Sequence, residues 1–220
     1  MRWMVLIAAL GLLGAVPSAA SAQKAELARY QRAAIRGLGR LEEPAAFEQA
    51  FKGKTQEEAR ASGAQLAARG MVRLSAEDLK YRAELLLDFT GRASTKTCGK
   101  WSRGGVSGEE VIAMIAQLDS AALDQWVDLS LHATMAEVHQ KPAAFAGTQA
   151  DVGKLFERLE TTMNEKESER FHTVMSKFDK ASEKDACWFG RQLYISALAL
   201  KPDERDHALR TLAWLETQSS

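Results

Sequence analysis

Two cysteines, four prolines and fifteen glycines in 220 residues exclude several kinds of protein. A disulfide-dense miniprotein needs more thiols, and a collagen-like or low-complexity chain needs far more glycine and proline. Aromatic residues make up only 7% of the chain, and neither sign of charge is in excess, since 29 basic residues balance 29 acidic ones. That neutrality argues against a protein that coats nucleic acid or an anionic membrane, because such proteins carry a basic surplus. With 46% hydrophobic and 26% charged residues, the composition is not that of a disordered chain. At this length one domain is expected, burying about 70% of its unfolded surface.

Only one apolar run is long enough to be conspicuous. Arg2 supplies a short positive start, Trp3 to Val16 carries no charge, and Pro17 to Ala22 reads PSAASA, ending in the small-x-small triplet Ala20, Ser21, Ala22. This is the build of a secretory signal peptide cleaved between Ala22 and Gln23, with an apolar run shorter than the roughly 20 residues a membrane-spanning helix requires. The expected mature chain, residues 23–220, loses Arg2 and keeps 28 basic against 29 acidic residues, a net charge of −1. Alanine is abundant and Asn164 is the single asparagine, which suggests a GC-rich bacterial coding sequence and a periplasmic destination, or secretion. No stable membrane insertion is expected of the mature chain.

Export places Cys98 and Cys187 where disulfides persist, and two thiols allow one pairing. Their spacing excludes a CxxC redox motif or a zinc cluster. The expected bridge would tie the middle of the chain to its C-terminal part.

Helix-start signals recur. Ser or Thr followed three residues later by an acid occurs at Thr55/Glu58, Ser75/Asp78, Ser107/Glu110, Thr148/Asp151 and Ser182/Asp185, each ahead of apolar residues at helical spacing. A long amphipathic stretch runs from about Ser120 to Gln140, and Pro202 stands where a last helix would begin. No run of alternating β-branched residues argues for a strand. The fold expected is all-α, a single compact domain of seven to nine helices over residues 23–220 with one disulfide.

Chemistry-bearing motifs are scarce. GxxxxGK[ST], GxGxxG and HExxH do not occur, and Gly104 to Gly108 misses the GxSxG spacing by one residue, leaving Ser107 as a helix cap. His132 and His139 lie seven apart, about 10 Å along a helix, too far to share one metal. The Asp128/His132 pair reads as a local electrostatic contact. No metal or cofactor is expected.

One segment departs from the helical pattern. Thr90 to Gly108 reads TGRASTKTCGKWSRGGVSG, with Arg92, Lys96, Lys100 and Arg103, no acid, and Trp101. It reads as a glycine-rich loop pinned by Cys98, and loops of this length are often functional. A tryptophan flanked by cations has the composition of a protein-binding hot spot, complementary to an acidic partner surface. The alternative is a connecting loop whose tryptophan packs down beside the disulfide. Trp126 and Trp188 read as core anchors, and the charged run from Glu165 to Arg170 as a solvated helix face.

Together these features suit an exported binding protein, not an enzyme: an inhibitor or immunity-type protein that blocks an envelope-acting toxin or enzyme. A periplasmic chaperone or envelope adaptor is a second expectation, and would carry a broad apolar groove. A hydrolase with fold-placed carboxylates is a third.

Overall fold

The computed structural model describes residues 21–143, 145 and 147–218, and every regular element among them is helical. In chain order these are α1 (Ser21–Gly39), α2 (Pro44–Ala50), α3 (Gln56–Gly70), α4 (Ala76–Arg92), α5 (Thr95–Ser102), α6 (Gly108–Ile115), α7 (Ser120–Val138), α8 (Gln149–Glu160), α9 (Glu165–Met175), α10 (Glu183–Ala199) and α11 (Pro202–Gln218), with 3₁₀ turns at Met71–Arg73 and Phe178–Lys180. The leader expected over residues 1–22 falls on residues 1–20, outside the described residues, and on Ser21 and Ala22, which open α1.

The all-α expectation holds, but the count of seven to nine helices is too low. Helices α2, α5 and α6 have only seven or eight residues, too few to be stable alone and too few to display a clear apolar stripe. Ser94 and Ser107 cap α5 and α6, whereas α2 starts at Pro44 without a side-chain cap and is held by packing of Phe47 in the core.

All five Ser/Thr start signals are N-caps whose side chains accept the N–H three residues on. Reciprocal boxes form at Thr55/Glu58, Ser107/Glu110 and Thr148/Asp151. The long amphipathic stretch is α7, capped by Asp119 instead of Ser120, and Pro202 opens α11. A further reciprocal box, Asn164 with Glu167, separates α9 from α8.

The main core contains Phe47, Phe51, Leu86, Phe89, Leu118, Leu123, Leu131, Leu155 and Leu212. Helix α7 contributes Leu123 and Leu131 to it, and α1 is fastened to the end of α6 and along α7 by arginines one and two turns apart. Arg29 donates to the Ala116 carbonyl at 2.7 Å, while Arg36 and Arg40 pair with Asp124 and Asp128 at 2.6 and 2.7 Å. A second cluster of Phe171, Val174 and Phe189, with Phe156 and Phe178 against it, joins α8, α9 and α10. Phe171 and Phe189 stack at 4.7 Å. Met163 and Leu193 touch both clusters, so the helices form one body. No described helix is long and apolar enough to cross a membrane.

Candidate functional site

Cys98 and Cys187 form the expected disulfide, with Cα atoms 5.0 Å apart, and no free cysteine remains. The segment around Cys98 is not the loop expected from its glycines. Thr90 to Arg92 complete α4, and Thr95 to Ser102 form α5. The physical reason is local and tertiary at once. Ser94 caps the helix by accepting from the Thr97 N–H, while the bridge and close packing against α10 compensate for weak helix-forming residues. A Cβ on Gly99 would overlap the Glu183 backbone, and one on Gly190 would overlap the Ser102 side chain. Glycine at both positions therefore lets the two helices approach.

The five residues expected to bind a partner are divided by this geometry. Arg92 belongs to α4 and pairs with Asp88 at 2.7 Å. Lys96 is exposed on α5, and half-buried Lys100 stands 3.8 Å from Glu110. Arg103 folds inward, donating to the Ala181 carbonyl at 2.8 Å and pairing with Glu183 at 2.5 Å. Trp101 is half-buried, edge-on to Phe89 with ring centroids 5.9 Å apart, and packs on the main core. It is held by packing, and the outward-facing stripe of α5 is Lys96 and Lys100, one helical turn apart.

Arg103 leads to a feature the sequence reading missed. Ala181, which accepts its hydrogen bond, lines a groove of about 560 Å³ between α9, the Phe178–Lys180 turn and the start of α10. Lys166, Arg170, Lys177 and Lys180 line it against two acids, Glu169 and Asp185. Arg170 pairs with Asp185 at 2.8 Å and lies 4.2 Å from the Trp188 ring centroid, so Trp188 is a platform for a cation and only half-buried. That pairing, followed by the Ser182 hydroxyl, holds the Asp185 carboxyl below its usual range. Part of the signal was present: positions 166 and 170 fall on one face of α9, but the run from 165 to 170 reads as solvated when neighbours are unknown.

The histidines are dispersed, with His132, His139 and His172 exposed and His207 half-buried. His139 stands 3.5 Å from Glu43, His172 3.1 Å from Glu160 and His207 3.6 Å from Asp151. His132 and His139 line a separate cleft of about 370 Å³ between residues 40–43, residues 73–78 and the end of α7. Its arginines are already engaged, Arg40 with Asp128 and Arg73 with Glu137 at 2.7 Å. Asp128 is thus taken by Arg40, not by His132. Among the described residues no group of three or more His, Cys, Asp or Glu could hold a metal ion.

Four carboxyl groups are held below their usual range: Glu58 and Glu110 first by the backbone N–H of their caps, Asp151 first by the Thr148 hydroxyl, and Asp185 by Arg170. All are helix-start residues.

No protein-family model, curated protein or solved structure matches the chain.

Proposed function

We propose that the chain is an exported, periplasmic binding protein of the inhibitor or immunity type, which occupies the working surface of an envelope-acting toxin or enzyme. The observation that carries this reading is the α5 lug. The disulfide and the Gly99/Gly190 approach fix α5 on α10, so Lys96 and Lys100 are presented from a helix that loses little freedom on binding, and preorganisation of that kind favours affinity. An acidic partner surface is the complement.

The exposed large apolar side chains among the described residues, Ile35 and Ile195, sit on different helices. That distribution favours a partner recognised by charge and shape over the promiscuous apolar binding of a chaperone.

The test is affinity purification of the mature chain from envelope extract, beside the double variant Lys96→Glu with Lys100→Glu. Lys96 is exposed and Lys100 half-buried beside Glu110, so a melting curve of the double variant accompanies the capture to separate loss of binding from loss of structure, whereas Trp101→Ala would disturb packing against Phe89 directly. A stoichiometric partner whose activity the wild type suppresses, recovered at least about tenfold less well by the double variant, is the expected result. Wild type that recovers no stoichiometric partner overturns the binding reading, and equal recovery removes α5 as its site.

A further inference from the structure

We infer that the groove between α9 and α10 is a subsite for an extended acidic peptide segment of the partner. The inference rests on the binding reading above and deepens it, because the groove adjoins α5 through the Arg103 to Ala181 hydrogen bond.

The cations are arranged in a line. From Lys166 to the end of α9 at Met175 is nine residues, about 14 Å at the rise of a helix, and Lys177 stands just beyond the Ser176 C-cap. Arg170 lies between them, and Lys180 follows on the next turn. A single small anion cannot touch both ends of such a row. An extended peptide covers the distance in about five residues, which matches a short acidic segment with several carboxylates.

Charge and availability agree with this occupant. Lys166, Lys177 and Lys180 are exposed, and none forms an ion pair with a described residue. Arg170 spends one nitrogen on Asp185 and is braced over Trp188, so its planar group is oriented before a ligand arrives, and arginine suits carboxylates through its fixed fork. Asp185 is neutralised by that same contact. Glu169 is the remaining acid of the lining and the one repulsive charge facing an acidic ligand.

A single nucleic-acid strand fits less well. Such strands are held by bases stacked on aromatic faces as well as by cations, and the Trp188 ring is already covered by Arg170.

The probe is fluorescein-labelled hexaglutamate, followed by fluorescence anisotropy at low salt with the full mature chain. A Gly-Ser hexapeptide and an oligothymidylate of equal length serve as comparisons. Wild type is expected to bind hexaglutamate and not the Gly-Ser peptide. The triple variant Lys166→Glu, Lys177→Glu, Lys180→Glu is expected to lose at least about tenfold in affinity. Glu169→Gln is expected to tighten binding, a gain that general damage to the fold would not produce. The triple variant Lys24→Glu, Lys52→Glu, Lys201→Glu changes net charge equally at exposed lysines outside the groove and is expected to retain most of the affinity.

Equal loss in both triple variants overturns the groove, because attraction would then follow net charge alone. Equal binding of oligothymidylate through the same lysines overturns the peptide assignment. Where a partner has been captured, capture that survives the groove variant but not the Lys96/Lys100 variant overturns the groove subsite and leaves the binding reading standing.

Discussion

Arg82 carries the most exacting electrostatics in the molecule. Burial works against its charge, yet the guanidinium is more firmly protonated than usual because Glu216, 2.6 Å away, and then Tyr194 hold it. The Tyr194 hydroxyl donates to the other Glu216 oxygen at 2.6 Å, tying α4, α10 and α11 together. The two partners differ in exposure: the Arg82 side chain is 9% exposed and Glu216 34%. Removing one member of a buried pair costs about 3 to 5 kcal/mol when the other charge is stranded. Glu216→Ala strands Arg82 and is expected to fall in that range by urea unfolding. Arg82→Met leaves a carboxylate that can turn toward water, and is expected to cost less than half as much. Equal losses would mean that desolvation of the arginine is not the governing effect.

Among the elements, α5 depends most on its neighbours. Replacing Cys98 and Cys187 together with alanine opens a link across 89 positions, which chain entropy values at about 4 to 5 kcal/mol. The melting temperature is expected to drop accordingly, with the loss visible as exchange of α5 amides before the rest of the fold. Gly99→Ala forces a methyl into the Glu183 backbone and is expected to cost about 1 to 3 kcal/mol. Gly108→Ala, where a Cβ meets nothing within 4 Å, is expected to be close to neutral, and a similar loss at both positions would contradict close approach as the cause. The same comparison explains what was legible in the sequence. Caps at Thr55, Ser75, Ser107, Thr148 and Ser182 were visible because each pairs a hydroxyl with an acid three residues on, and local chemistry of that kind needs no neighbours. Ser94 is followed by Thr97, so its cap resembles a turn, and only contact with α10 makes it a helix start. Asn164 does the same work with an amide oxygen in place of a hydroxyl, so a Ser/Thr pattern does not include it. The groove was hidden for a stronger reason, since Lys166, Arg170, Lys177 and Lys180 line one cleft only once α9 and α10 pack around Phe171 and Phe189.

At the scale of the whole molecule, the charges that set stability at the two ends of the pH range lie in different places. The lowered carboxyls at helix starts are surface features, and what they add is present above their unfolded values and fades as pH falls through the folded ones. The alkaline limit belongs to the core. Burial pushes the Tyr30 phenol from 10.0 up to about 12, and burial, then Glu216, pushes Tyr194 in the same direction. A phenol with a raised folded value favours the native state fully below pH 10, because only the unfolded chain can release that proton easily at higher pH. Its contribution is lost as pH rises from 10 toward 12, by about 3 kcal/mol for Tyr30 alone. With no free cysteine to attack the Cys98–Cys187 bridge, unfolding in that window reports titration and not thiol exchange within the chain. Urea denaturation of the protein is therefore expected to be nearly flat between pH 8 and 9.5 and to weaken steeply above 10. Tyr30→Phe, which keeps the ring in the core and removes the ionisable hydroxyl, is expected to shallow that decline by its own share while Tyr194 and its neighbours continue theirs. An unchanged slope in Tyr30→Phe would show that the phenol of α1 is solvated in the folded protein, and that α1 lies less firmly on α7 than its arginine contacts imply.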